Sequence, residues 1–81
     1  MIRIDMPADL HFEDDEGRNL ARIAAALVPE WVTPGAVLVA GSPEAWTWAQ
    51  VLTVADGWAT YRQLTTTEAA ALANLVEPLT A

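Results

Sequence analysis

The sequence predicts an α+β domain, a small antiparallel sheet with two helices packed against it. Three observations support this prediction. The stretch from Pro34 to Leu64 has the alternating pattern and turn residues of a strand meander. A helical apolar period precedes it over residues 15–28, and a second follows it over residues 66–76. With 81 residues, the chain is expected to form a single domain spanning 1–81.

Residues 2–6 alternate apolar and charged side chains, which predicts a short strand with one buried face. Pro7 ends this strand or confines it to the edge of a sheet, because proline has no backbone N–H to donate. His11 is the only histidine of the chain. A lone histidine between two apolar residues is more often a half-exposed strand residue than a ligand, so we predict no catalytic or metal-binding role for it.

The most conspicuous charge run is a continuous acidic segment, formed by Glu13, Asp14, Asp15 and Glu16. Clustered carboxylates can bind a divalent cation, but this run lacks the spaced acids and the glycine of a calcium loop. We favour the alternative that Asp14 or Asp15 caps a helix over residues 15–28 and that the run forms an acidic surface. No metal site is predicted. The apolar stripe of that helix would be Leu20, Ile23, Ala24 and Leu27.

Three strands are predicted in the central stretch, over residues 36–40, 45–54 and 58–64. The first is nearly all apolar and lies between two glycines, which predicts a central strand buried on both faces. The other two are joined by Asp56-Gly57, a dipeptide typical of tight hairpins. If these two residues alone form the loop, Ala55 pairs with Trp58 and Leu52 faces Tyr61. If Ala55 joins the loop, every pair shifts by one residue. We favour the two-residue loop.

The last element is a helix over residues 66–76. Thr65 and Glu68 fit the capping box that begins many helices, and Thr67 is the alternative cap. Pro78 is expected to end the helix. Its apolar face is predicted from residues at helical spacing, namely Leu72, Leu75, Val76 and Leu79.

The strand plan of residues 34–64 resembles that of SH3-like small barrels, which include Tudor-type modules. The resemblance rests on a short apolar strand after Pro34-Gly35, a loop, a tryptophan-bearing strand and a tight hairpin. It implies a small barrel-like sheet, and no ligand-binding residue of those families can be assigned here. The whole chain also resembles short uncharacterised acidic proteins of high-GC bacteria, which implies no activity.

Composition limits the classes of function. The net charge is −7, and the chain has no lysine, so binding to phosphate-rich partners such as nucleic acid or an anionic membrane is disfavoured. It has no cysteine, which excludes disulfides and fits a cytoplasmic location. No nucleophile motif, phosphate loop or dinucleotide fingerprint is present, so we predict a non-enzymatic protein without a cofactor.

The aromatic residues provide the candidate binding surface, which consists of Trp46, Trp48, Trp58 and Tyr61. Tryptophan and tyrosine are frequent anchors of protein interfaces. The alternative is that these residues form the core beneath a packed helix, as aromatic residues at strand spacing commonly do. Which sheet face the helices cover decides between the two interpretations.

We therefore expect a small acidic protein-interaction module, of accessory, immunity or antitoxin type. Its partner would be a protein, for which a basic surface is the natural complement, or a second copy of the chain. One alternative is an acidic mimic of nucleic acid that inhibits a DNA-binding protein. Another is a metal-binding protein or small enzyme that uses the acidic segment.

Overall fold

A computed structural model describes residues 2–76 of the chain, with side chains over residues 2–72. In this part the chain forms a curled, mixed sheet of five strands, comparable to half of a small barrel, and one α-helix. The elements are β1 (Met6–Pro7), β2 (Asn19–Arg22), β3 (Val37–Ser42), β4 (Ala45–Ala55), β5 (Trp58–Leu64) and α1 (Thr66–Val76). The predicted helix end at Pro78 and the predicted apolar side chains at 75, 76 and 79 lie outside the described part.

The strands are ordered β1-β3-β4-β5-β2. Strands β3, β4 and β5 form the antiparallel meander that the sequence predicts, β1 runs parallel to β3, and β2 runs antiparallel to β5. The prediction of an α+β fold, with an antiparallel sheet packed by two helices, is therefore wrong. The sheet is mixed, and one short helix accompanies it in the described residues.

The helix predicted over residues 15–28 is replaced by β2 and by short 3-10 turns at Ile23–Ala25 and Pro29–Trp31. Within β2, burial alternates with a period of two, since Asn19 and Ala21 are buried and their neighbours are not. The stretch can therefore pair along β5, and the ladder bonds of a sheet outweigh a modest helical period.

The strand predicted over residues 2–6 is also wrong, because only Met6–Pro7 lies in the ladder with β3. Asp5 nevertheless extends this edge by one step. Its backbone N–H donates to the carbonyl of Val39 at 3.0 Å, and its Oδ2 accepts the N–H of Val39, also at 3.0 Å. A side chain thus replaces a backbone acceptor at the margin of the sheet.

The hairpin between β4 and β5 has the predicted two-residue loop, in which Ala55 pairs with Trp58. Asp56 and Gly57 both have positive φ angles, 55° and 80°, as tight hairpin turns require. The predicted register fails farther from the loop. A bulge between Val51 and Thr53 places Val51, rather than Leu52, opposite Tyr61.

The predicted capping box at the start of α1 is confirmed. Glu68 donates its N–H to Oγ1 of Thr65 at 3.1 Å, and Thr65 donates its N–H to Oε1 of Glu68 at 2.8 Å. The bond from the Thr65 amide is the main reason that the pKa of Glu68 is lowered. The carboxylate at this position therefore stays ionised, and it lies at the positive end of the helix dipole.

Two apolar layers lie on opposite faces of the sheet. The main core occupies the inner face, defined here as the face that carries Tyr61. On the outer face, Trp48 pairs with Val39 on one side and Leu64 on the other, and the buried Ala69 of α1 belongs to the same face. The inner core comprises Met6, Ala21, Ala26, Val32, Leu38, Ala40, Ala49, Val51, Ala59 and Tyr61.

Candidate binding surface

Trp46 and Trp48 lie together on the outer face of β4. Their ring centres are 6.3 Å apart and their planes cross at 85°, an edge-to-face contact that aromatic rings favour. The strand period of two explains why they share a face. Trp46 remains 41% exposed, so this pair is covered only in part.

Gly41 allows β3 to lie close to β4 beside this pair. It faces Trp46 in the ladder, and its φ angle is +120°. A Cβ atom added there would overlap the carbonyl oxygen of Ala45 and would lie 2.9 Å from Cα of Trp46. Glycine is therefore needed both for the backbone conformation and for the space.

An apolar cavity of about 190 Å³ opens between the outer face and α1. Trp48 forms one wall, and the first turns of α1 form another. The complete lining is Val37, Trp48, Thr66, Ala69 and Ala70. A cavity of this size and polarity suits an apolar side chain rather than a charged one.

A second cavity, of about 390 Å³, is also lined by Val37 and Trp48. It differs from the first because it contains a buried carboxylate, Asp5, and a cation, Arg3. Its complete lining is Ile2, Arg3, Asp5, Trp31, Val37, Leu38, Val39 and Trp48. We call the surface formed by Trp46, Trp48 and these two cavities the outer groove.

Trp31 contributes an exposed aromatic ring to the outer groove. The ring is 47% exposed, and the guanidinium carbon of Arg3 lies 5.5 Å from its centre. Arg3 also donates from Nε to Oδ1 of Asp5 at 2.9 Å. Arg3 and Asp5 are close in the chain, but Trp31 lies in the distant turn Pro29–Trp31, so no local pattern of the sequence joins the three residues.

Tyr61 and Trp58 lie apart from the tryptophan pair on β4. Tyr61 is fully buried in the inner core, where burial, assisted by the negative charge of Asp9, raises its pKa to about 12. Trp58 lies at the hairpin end of β5, in contact with Phe12 at 5.9 Å between ring centres, and the guanidinium of Arg22 is 4.6 Å above its ring. Of the four predicted binding residues, the structure thus joins only Trp46 and Trp48.

The acidic segment forms a turn rather than a helix cap. Oδ1 of Asp14 accepts the N–H groups of Glu16 and Arg18 at 2.9 Å, and the guanidinium of Arg18 lies 2.9 Å from its Oδ2. These bonds, that of the Arg18 amide first, lower the pKa of Asp14. Glu13 pairs with Asn19 at the base of the turn, whereas Asp15 is exposed. Asp14 therefore stabilises the turn that leads into β2.

The described residues bear on two further classes of site. Within residues 2–76, no group of three or more histidine, cysteine or acidic side chains is placed to hold a metal ion. His11 is exposed, and its backbone N–H donates to Asp9 at 2.9 Å. Over the same range, no helix has the length and apolar character needed to cross a membrane.

The outer groove combines exposed tryptophans, an apolar cavity and a paired charge in one surface. Such a surface can bury apolar side chains and can hold a cation between a carboxylate and an aromatic ring. Comparison of the chain with protein-family models, with curated proteins and with solved structures finds no match.

Proposed function

We propose that this protein is a non-enzymatic interaction module that binds a basic protein partner through the outer groove. The module acts in the cytoplasm, as an accessory, immunity or antitoxin-like protein does. The proposal includes a relationship to SH3-like small barrels, which the curled sheet and its central meander support. The partner's apolar side chains contact Trp46 and enter the cavity beside α1.

The observation that carries this proposal is the partly exposed Trp46–Trp48 pair, in which Trp48 lines both cavities. A tryptophan left 41% exposed keeps a large apolar area in contact with water. Covering that area with a partner is favourable, and tryptophans next to well-formed pockets are the residues that most often dominate binding energy. The main core lies on the inner face of the sheet, so the exposed part of Trp46 on the outer face is not part of that core.

The charge of the chain favours a basic partner. A net charge of −7 on 81 residues creates a negative field that accelerates association with a positive surface. Apolar contact in the groove then supplies the affinity, while the field around it selects the partner. Binding is therefore expected to weaken with added salt, mainly through slower association.

Co-purification from the native host tests the proposal, with the wild-type protein compared with Trp46→Ala and Val54→Ala. Val54 is a matched control, because it is 38% exposed on the same strand but lies near the hairpin loop. We expect a basic protein to be retained by the wild type and by Val54→Ala, and to be lost with Trp46→Ala. Circular dichroism checks that both variants keep the fold.

Two results would contradict the proposal. One is equal retention of the same protein by Trp46→Ala and the wild type, and the other is no retained protein at all. Sedimentation of the pure chain tests whether a second copy of the chain occupies the groove. A dimer that dissociates in the Trp46→Ala variant would assign the groove to self-association. A captured DNA-binding protein that loses its DNA would instead favour nucleic-acid mimicry.

A further inference from the structure

We infer that Asp5 and Trp31 form a subsite for a guanidinium group of the protein partner, and that Arg3 of this chain fills this subsite while the partner is absent. The inference rests on the proposed function, because the subsite belongs to the outer groove. It adds the chemistry of one anchor: an arginine side chain of the partner displaces Arg3 from the same carboxylate and the same ring.

The carboxylate of Asp5 is held in place before any ligand arrives. The residue is 6% exposed. Its Oδ2 accepts the N–H of Val39 at 3.0 Å, its backbone N–H donates to the same residue, and its carbonyl accepts the N–H of Leu27 at 2.8 Å. These bonds direct Oδ1 towards the cavity, where Arg3 meets it. Removing the cationic partner of a buried carboxylate is costly, so this position favours a replacement cation when Arg3 leaves.

The ring of Trp31 provides the second half of the subsite. Guanidinium groups bind best where a carboxylate accepts their N–H groups and an aromatic face covers their plane. Arg3 brings its guanidinium to both groups, with Nε 2.9 Å from Oδ1 of Asp5 and the guanidinium carbon 5.5 Å from the Trp31 ring centre. An ammonium group fits less well, because it cannot lie flat on the ring and bond to the carboxylate in a fork.

Arg3 holds this position weakly. Its side chain is 66% exposed, so water screens its contacts. The contact with Asp5 uses Nε, and a partner's arginine entering from the cavity can present its two terminal nitrogens instead. The cavity of about 390 Å³ has room for that approach. Arg3 therefore satisfies the buried carboxylate in the free protein without blocking exchange.

Arg22 and Trp58 form an internal comparison. Here too a guanidinium lies over an indole ring, with its carbon 4.6 Å from the ring centre. Among the ion pairs of the described residues, which join Arg3 to Asp5 and Arg18 to Asp14 and Glu16, none involves Arg22. Removal of Arg22 thus exposes a ring whose cation had no ion pair with a carboxylate, whereas removal of Arg3 exposes both a ring and the carboxylate that Arg3 paired with.

The test is a titration of the labelled protein with methylguanidinium chloride, followed by NMR, with sodium chloride at equal ionic strength as the baseline. The reporters are the indole N–H of Trp31 and the backbone N–H of Val39, which bonds to Asp5. Arg3→Ala is expected to show saturable chemical-shift changes at both reporters. The methylguanidinium concentration at half-saturation should be about tenfold lower than in the wild type. Methylammonium should bind Arg3→Ala more weakly, and Arg3→Ala combined with Asp5→Asn should lose saturation.

The control is the indole of Trp58 in Arg22→Ala, for which no saturable shift is expected. The inference is overturned if folded Arg3→Ala shows no saturable shift, or if Trp58 in Arg22→Ala responds equally. Arg3→Gln, which keeps the length of the side chain, replaces Arg3→Ala if the latter unfolds. Because the probe is a small cation, failure here leaves the co-purification result unaffected, and a failed co-purification leaves probe binding measurable.

Discussion

Val51 lies directly opposite Tyr61 across β4 and β5, although the hairpin loop alone would place Leu52 there. The bulge at Leu52 accounts for the difference. One extra residue in β4 shifts the register by one for every pair farther from the loop, so that a residue of β5 meets the β4 residue of the opposite face. Tyr61 is thereby turned into the inner core, and Trp48 faces Leu64 on the outer side. A single surplus residue thus separates the core aromatic from the surface aromatics.

Deletion of Leu52 is expected to preserve the fold. Val51 and Thr53 would then be consecutive and would keep their partners, Tyr61 and Thr60. The free energy of unfolding should fall by no more than about 2 kcal/mol, as for an ordinary single-site change. Deletion of Thr60 is the control, because it leaves two surplus residues in β4 and should abolish cooperative unfolding. Urea unfolding curves of both variants are the measurement. A Leu52 deletion variant that is already unfolded without urea would refute the assigned register.

Tyr61→Phe is expected to leave stability at neutral pH unchanged or to raise it by up to about 1 kcal/mol, because the buried hydroxyl has no hydrogen-bond partner among the described residues. In the wild type, the pKa of Tyr61 is raised from 10.0 to about 12. The stability that this pKa difference contributes is therefore fully present below pH 10, and it is lost as the pH rises through about 12.

Phenolate absorbance measures this titration directly, since Tyr61 is the only tyrosine. An apparent pKa near 10 in the folded protein would contradict its burial. Tyr61→Phe should also reduce the alkaline loss of stability, and an identical alkaline unfolding curve in the two proteins would contradict the linkage.

Thr65→Ala is expected to lower the free energy of unfolding by about 1 kcal/mol, because it removes the hydroxyl that accepts the N–H of Glu68. Thr67→Ala is the matched control, since Thr67 is an exposed threonine in the same turn. Chemical denaturation and helical circular dichroism measure both variants. Equal losses at the two positions would show that threonine propensity, rather than the cap, determines the stability of this turn.

Gly41→Ala is expected to destabilise the protein more than Gly35→Ala does. Both glycines have a positive φ angle, +120° and +90°, so each substitution strains the backbone by about 1–2 kcal/mol. At Gly41 the new Cβ overlaps the carbonyl oxygen of Ala45. At Gly35 nothing lies within 4 Å of the added Cβ. Overpacking at Gly41 should add about 2 kcal/mol. Equal losses on urea unfolding would contradict the close approach of β3 and β4.

Local patterns predicted the elements that local chemistry determines. The hairpin at Asp56-Gly57 was predictable because few residues adopt positive φ angles readily, and the start of α1 because Thr65 and Glu68 bond to one another. Both elements are completed by residues that are close together in the chain.

The elements that were predicted wrongly depend on partners that are distant in the chain. The stripe from Leu20 to Leu27 has helical spacing, but Asn19 and Ala21 also satisfy the strand period, and only the presence of β5 decides between them. The outer groove was predictable in part, at Trp46 and Trp48, from strand alternation. The contribution of Asp5 depends on its side chain pairing with Val39 across the sheet, and Trp31 reaches the same cavity from a distant turn; no local pattern records either.

The order of the strands has a consequence for association between chains. The outermost positions belong to β1 and β2, which have two and four residues, whereas β4 and β5, with eleven and seven, lie inside the sheet. Short margins, one of them ending in a proline, give another strand little backbone with which to pair, so this arrangement protects the chain against edge-to-edge aggregation. An apolar, alanine-rich sequence can therefore expose tryptophans on one face without offering its backbone for polymerisation.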